Sequence, residues 1–312
     1  MESTIVATHV GNCASIAALL EVSAYPKPGN IHRLNDYPKT KYEHFLASSV
    51  SMGRVMGKLA GRTFCSKDSV KIGLGDSILE AVKEMFKWQT GGNIHLGIIL
   101  LFAPLSAAAG LTLKTEIISV DRLRGKTKKI ISESSPRDSS KIYSAIDRSM
   151  SFESLGSVGK LNVKDKSSID RILKDKITPI DIFELCKERD SICREWVTGF
   201  NIVFTEGYPT LKSGIEKGQK INEATLNTFL KILKEHPDSL IQRKEGLEAA
   251  NWVTEQANLI IEKGGASTEE GIKMLWSLDH ELQKMKGQQN PGTTADLTAA
   301  SLFVLLLTGW IP

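Results

Sequence analysis

The chain has 312 residues, 41% hydrophobic and 24% charged, with a net charge of +4. That balance is globular and excludes a disordered or fibrous protein. The small charge excludes a general nucleic-acid coat but leaves room for one local phosphate site.

Taken in order, Ile16, Leu19, Leu20 and Val22 recur at helical spacing, so about 6–23 reads as an amphipathic helix. Pro26 cannot continue it, Pro28 fixes a second φ, and Gly29 supplies the positive φ that a sharp reversal needs. The result is a stiff loop carrying Lys27, Asn30, His32 and Arg33, suited to holding cations for an anionic ligand. A helix over about 42–61 follows, with Phe45, Ser49, Met52, Met56 and Leu59 on one face and Gly53 and Gly57 permitting close approach of another helix. The stretch 66–68 offers a cap, and the next helix covers about 76–88. A glycine-rich turn, 89–97, then opens into the most apolar helix of the chain.

Residues 113–133 are helical in pattern and basic on the outside, and Ser135-Pro136 marks the start of another helix ahead of 142–150. A long loop is expected over 151–168. Pro179 reads as a first-turn proline of a helix running to about 204, and helical patterns recur over 222–234, 245–262 and 268–286. An apolar C-terminal helix closes the chain, and no alternating β-branched run appears. The expectation is one all-α domain, 1–312, of about a dozen helices.

Two apolar stretches, 94–113 and 297–310, read as buried core helices rather than membrane spans. Cys13, Cys65, Cys186 and Cys193 form no Cys-x-x-Cys pair and no zinc spacing. Cys186 and Cys193, seven apart on one helix face, are expected to be buried thiols, and with no leader pattern the expected location is cytoplasmic.

Five polar turns interrupt the helical pattern. The first is the Pro-Lys-Pro-Gly loop. The second contains Gly92, Asn93 and His95 at a helix start, where free N–H groups and the dipole favour an anion. The third holds Asp190 with Arg194 one turn on, readable as a simple ion pair. The fourth holds Asp238, a helix cap or a site carboxylate, followed by Arg243. The fifth holds Gly292, Thr293 and Asp296 before the last helix, where an unpaired carboxylate is costly and a metal or ligand would relieve it. Together they are what a magnesium-bound polyphosphate site requires.

The order of these turns resembles the ATP:dephospho-CoA triphosphoribosyltransferase family. Glu21-Val22 through Pro26-Lys27-Pro28-Gly29 is similar to its E-V-x-x-x-P-K-P-G, Phe45 to Ser48 to its F-x-x-S, and Asn93-Ile94-His95-Leu96-Gly97 to its N-T-H-x-G. Glu188-Arg189-Asp190 with Thr198-Gly199-Phe200 matches a central block, Asp238-Ser239 with Arg243 a D-T-x-x-x-R, and Pro291-Gly292 to Leu297 an S-P-G-G-S-A-D-L. There are departures. His32 stands where the family has Asp, the following G-A-H-x-D-M-D block is absent, and Thr293 and Thr294 replace Gly and Ser.

The resemblance implies an all-helical enzyme using ATP as substrate and Mg²⁺, with dephospho-CoA or a related acceptor and adenine released. It implies that Lys27, Gly29, Asn30, His32, Arg33, Ser48, Gly92, Asn93, Arg194, Arg243, Gly292 and Thr293 bind nucleotide. Asp238, Asp190 and His95 (or His32) would then act on the glycosidic bond, and Asp238 and Asp296 would hold the metal. No nucleic acid or membrane is expected as partner, and a homodimer is allowed. The alternatives are another nucleotide-dependent ribosyl or phosphoribosyl transfer in cofactor assembly, or nucleotide binding without catalysis.

Overall fold

The computed structural model describes residues 2–66, 72–114, 117–150, 163, 165 and 167–312. Most of the loop expected over 151–168 and most of the cap at 66–68 lie outside these; the last two residues of that stretch, Ser167 and Ser168, are helical. Among the described residues the chain is helical throughout, with no strand and only an isolated bridge between His32 and Asn35.

Helix α1 (Ser3–Ser23) lies against α2 (Tyr42–Cys65) so closely that glycine is required where they meet. A Cβ at Gly53 would sit 2.7 Å from the Gly11 carbonyl oxygen, and one at Gly57 would collide with the Ala7 carbonyl. Ser3 Oγ donates to Gly61 O at 3.1 Å and Ser15 Oγ to Ser49 O at 3.2 Å, pinning the antiparallel register. Helices α3 (Leu74–Trp88), α4 (Leu96–Thr112), α5 (Val120–Ser132) and α6 (Pro136–Ser149) complete the first half. Their starts follow local rules. Ser119 caps α5, and Ser135 with Asp138 forms a capping box behind the first-turn Pro136. Asp138 also accepts from Gly75 N at 2.8 Å, which ties α6 to α3.

The second half begins with α7 (Ser167–Lys174) and α8 (Pro179–Glu184), the latter started by a Thr178–Asp181 capping box. The single helix expected to run from Pro179 to about 204 is instead broken. A turn separates α8 from α9 (Ser191–Thr198), and a π-helical segment, Val203–Gly207, leads into α10 (Tyr208–Glu216). The turn overturns the expectation of two buried thiols, because Cys186 and Cys193 form a disulfide. Seven residues of continuous helix would separate their Cα atoms by about 10 Å. Here the chain doubles back and the separation is 5.9 Å, within bridging range. Cys13 (buried) and Cys65 (exposed) are free.

Helices α11 (Ile221–Glu235), α12 (Ser239–Glu245), α13 (Leu247–Glu262) and α14 (Glu269–Lys284) enclose a second apolar cluster around Phe229, Leu230, Val253 and Leu278. Ala24 and Ala295 belong to this cluster, so it backs both the first and the fifth polar turn. The last helix, α15 (Gly292–Leu307), runs through the larger core beside α4, with Phe102 and Phe303 stacked at 4.4 Å.

Among the described residues only α1 is long and apolar enough to cross a membrane, and half of its apolar window is buried in the protein. The apolar helices α4 and α15 have 17 and 16 residues and are buried along nearly their whole length.

Candidate functional site

The first loop reverses as expected, through a cis Tyr25–Pro26 bond and Gly29 at φ +70°. Lys27 is 1% exposed, and its Nζ donates to Glu21 O at 2.9 Å and to the Glu21 carboxylate. The ammonium thus sits at the negative end of the α1 dipole beside a carboxylate. Burial outweighs Lys27 and still pushes the Glu21 carboxyl above its usual range.

The loop is held from 250 residues away. Asp279, fully buried on α14, accepts from Gly29 N (3.0 Å), Asn35 Nδ2 (2.8 Å) and Gln283 Nε2 (3.1 Å), and lies 3.2 Å from His32 Nε2. Leu34 N donates to His32 Nδ1 at 3.3 Å, so Nε2 carries the ring proton toward Asp279. His32 is therefore an internal brace rather than a nucleotide ligand. Arg33 is exposed, donating to Ser23 O at 2.8 Å with its guanidinium over the Tyr25 ring at 4.9 Å. It closes the C-terminus of α1 on the outer side of the loop. Asn30 reaches the fifth turn, Nδ2 donating to Pro291 O at 3.4 Å.

The third, fourth and fifth turns meet at the N-termini of α9, α12 and α15. Ser191 N donates to Ser239 Oγ at 3.2 Å, and Ser239 Oγ donates to Thr293 Oγ1 at 3.1 Å. Asp190 caps α9 through Ile192 N (2.8 Å) and Cys193 N (3.2 Å), and its second oxygen receives Arg243 Nη1 at 3.0 Å. Arg194 is not its partner. It turns away to the carbonyls of Lys187 (3.2 Å) and Glu188 (3.5 Å).

Asp238 is 2% exposed and fully engaged. One oxygen accepts from Leu240 N and Ile241 N (2.8 and 3.1 Å), the other from Thr294 N and Thr294 Oγ1 (2.7 and 2.8 Å). Burial nonetheless raises its pKa. With its acceptor directions filled by two helices, Asp238 has none left for a metal or a reacting group, so the structure makes it a brace.

Asp296 is the opposite case. It retains an accessible edge although protein surrounds it, and no hydrogen bond or ion pair satisfies it among the described residues. Its Oδ2 lies against Gly97 in the first turn of α4, in space a Cβ would fill. Burial first, then the charges of Glu21, Asp238 and Asp190, hold its carboxyl well above the usual range, with Lys27 opposing. Five ionisable groups from distant segments therefore share one field.

At the start of α4, His95 is fully buried, with Nδ1 2.7 Å from Ser48 Oγ and the ring edge-on to Phe45 at 5.2 Å. Burial and the neighbouring Lys27 push its pKa down to about 3, so the ring is neutral. Asn93 is exposed and its side chain accepts from Leu96 N at 3.2 Å, while Gly92 takes φ +88°. Among the described residues no group of three or more His, Cys, Asp or Glu side chains is arranged to hold a metal by itself.

The structure thus joins Lys27, Asp190, Asp238, Arg243, Gly292, Thr293 and Asp296, with His95 and Ser48 behind them, and leaves Arg33, Asn93 and Arg194 at the edges. Sequence reading missed Glu21, Ser239, Thr294 and Asp279 as working parts. Glu21, Ser239 and Thr294 stood within the motifs of the resemblance, and Asp279 carried no signal.

What converges is a set of helix N-termini, two cations and an unsatisfied carboxylate, a combination suited to a polyphosphate carried with a divalent cation. Comparison with known proteins agrees. A solved structure named as a triphosphoribosyl-dephospho-CoA synthase, from Archaeoglobus fulgidus, is 30% identical with a TM-score of 0.66, covering 87% of this chain and all of that one. A 2-(5''-triphosphoribosyl)-3'-dephosphocoenzyme-A synthase of Klebsiella pneumoniae is 25% identical over 307 residues, 96% of this chain and 90% of its own length. One from Salmonella gallinarum is 23% identical over 308 residues, 97% and 92%. The family model described as ATP:dephospho-CoA triphosphoribosyl transferase matches residues 7–311, and the chain belongs to that family.

Proposed function

We propose that this chain moves the 5-triphosphoribosyl group of ATP onto the 2′-hydroxyl of dephospho-CoA, releasing adenine, as a cytoplasmic step of cofactor assembly. In this transfer the bond from ribose C1 to the adenine nitrogen breaks and a bond from C1 to the acceptor oxygen forms. The hydroxyl proton is lost and adenine leaves with one. Positive charge develops on the ribose, and preorganised carboxylates nearby stabilise it.

The observation that carries the reading is Asp296, an accessible carboxylate without a partner among the described residues, facing the N-terminus of α4 and near three other carboxylates. A cation is what this arrangement lacks. Mg²⁺ commonly binds through one or two carboxylates plus substrate phosphates, so the residues present fit a metal that arrives with ATP. Asp296 would hold it, and it would neutralise triphosphate charge. The positive dipole ends at the starts of α4, α9 and α15 and the Arg243 guanidinium draw in the phosphate oxygens. Lys27 fixes Glu21 beside Asp296, and Asp238 keeps α12 and α15 in register. Asp190, partly exposed and paired with Arg243, would meet the acceptor hydroxyl.

Incubation with ATP, Mg²⁺ and dephospho-CoA should release adenine and yield a product heavier by one triphosphoribosyl group, read by chromatography and mass spectrometry. Adenine release with a different acceptor only would reassign the acceptor. Tight ATP binding with no glycosidic cleavage under any acceptor would leave a binding protein.

A further inference from the structure

We propose that His95 grips the triphosphate as a neutral Nε2–H donor and that Ser48 is the positioning residue that keeps the ring in that tautomer; this rests on the transferase reading above. Among the described residues only three buried side-chain polar atoms lack a hydrogen-bond partner, and His95 Nε2 is the one that lies at a polar turn of the site. His95 is the residue just before a 17-residue helix whose first turn touches Asp296. An orphaned N–H there points to a ligand.

The tautomer follows from counting protons. Ser48 Oγ is fully buried and its one partner among the described residues is His95 Nδ1, at 2.7 Å. If the imidazole donated to the serine, the hydroxyl proton and the Nε2 lone pair would both go unpaired in the interior. If the serine donates, Nδ1 is satisfied and the single remaining group is an Nε2–H. Burial beside Lys27 keeps a second proton off the ring. His95 is then a fixed hydrogen-bond donor and not the acid that delivers a proton to adenine.

The acceptor is an anionic phosphate oxygen, because the same helix start offers backbone N–H groups and the positive end of its dipole. The adjoining turn leaves room for the small movement that access needs, since Gly92 has no neighbour within 4 Å of where a side chain would begin.

Long-range ¹⁵N–¹H NMR on the intact protein reads the tautomer directly. The expected spectrum shows a protonated Nε2 and a bare Nδ1, with the Nε2 signal moving on addition of Mg·ATP or Mg·tripolyphosphate but not adenosine. Ser48→Ala should mix the tautomers and weaken Mg·ATP binding about tenfold. His95→Gln, which places an amide N–H near Nε2, should stay within about threefold of the parent, while His95→Asn should lose more than tenfold. Thermal melting checks that each variant is folded. A protonated Nδ1, an imidazolium, or an unmoved Nε2 in a protein that binds Mg·ATP overturns the proposal alone. A moving Nε2 without adenine release overturns only the transferase reading, and no binding of either phosphate overturns both.

Discussion

The indole N–H of Trp196 donates to the Leu100 carbonyl at 3.1 Å, deep in the core, and Pro104 is the reason that carbonyl is free. A proline four residues on cannot supply the usual helical N–H. The bond seats α9, and so Asp190, against α4. Trp196→Phe should leave a buried carbonyl unpaired and cost about 1–3 kcal/mol in urea unfolding. In Trp196→Phe/Pro104→Ala the new backbone N–H can take that carbonyl, so the double variant should be less destabilised than the sum of the singles.

Gly97 and Asp296 offer a second test. A methyl group at Gly97 must displace the carboxylate, because the space is already taken by Oδ2. Gly97→Ala should raise the KM for Mg·ATP or lower kcat by about 10–100-fold, with little change in melting temperature. Unchanged steady-state kinetics would remove Asp296 from the site.

Asp296→Asn should separate stability from activity. Burial first, and then like charge nearby, makes the ionised form of this carboxylate costly in the folded protein. Neutralising it should stabilise the protein by at least about 1 kcal/mol near neutral pH, a gain of a few degrees in Tm, while adenine release is lost. A drop in Tm would show the carboxylate to be structural.

Glu195 sets a pH dependence of its own. It is fully buried, its oxygens accept from Ile202 N (2.8 Å) and Val203 N (2.9 Å), and burial outweighs these bonds to push its pKa up to about 7. Below the ordinary carboxylate pKa both folded and unfolded chains hold the proton. As pH rises toward 7 only the unfolded chain gives it up, so stability falls across that window, by up to about 3 kcal/mol. Glu195→Gln should flatten this slope in denaturant titrations between pH 4.5 and 7.5.

Asp279 is the anchor of the first loop. Asp279→Asn keeps the shape but loses the charge and at least one acceptor for its donors, and should cost about 1–3 kcal/mol. Faster amide exchange at Gly29 and Asn35, measured by hydrogen–deuterium exchange, identifies the loop as the part released.

Helix content, most helix starts and the reversal at Gly29 were legible in the sequence because each depends on residues within one turn of one another. Ser135-Pro136 and Thr178-Pro179 announce their helices without help from the rest of the chain. The partners of the site were not legible. Asp238 and Thr294, or His32 and Asp279, are joined only by the folded path, and Asp238 looks the same in sequence whether it caps or catalyses. The family resemblance brought the right turns together but could not say that Arg194 faces away or that His32 is an internal brace. The break at 185–190 was hidden because Leu185, Ile192 and Trp196 keep helical spacing across a chain that has in fact doubled back.

One further point follows from the packing of α1 against α15. Lys27 and Glu21 leave the ribosome before Asp296, by on the order of 10–50 s. Until then α1 lacks part of its cover, and the proposed site is incomplete in any partial product. A nascent or prematurely terminated chain should thus be a client for chaperones and never a weak enzyme.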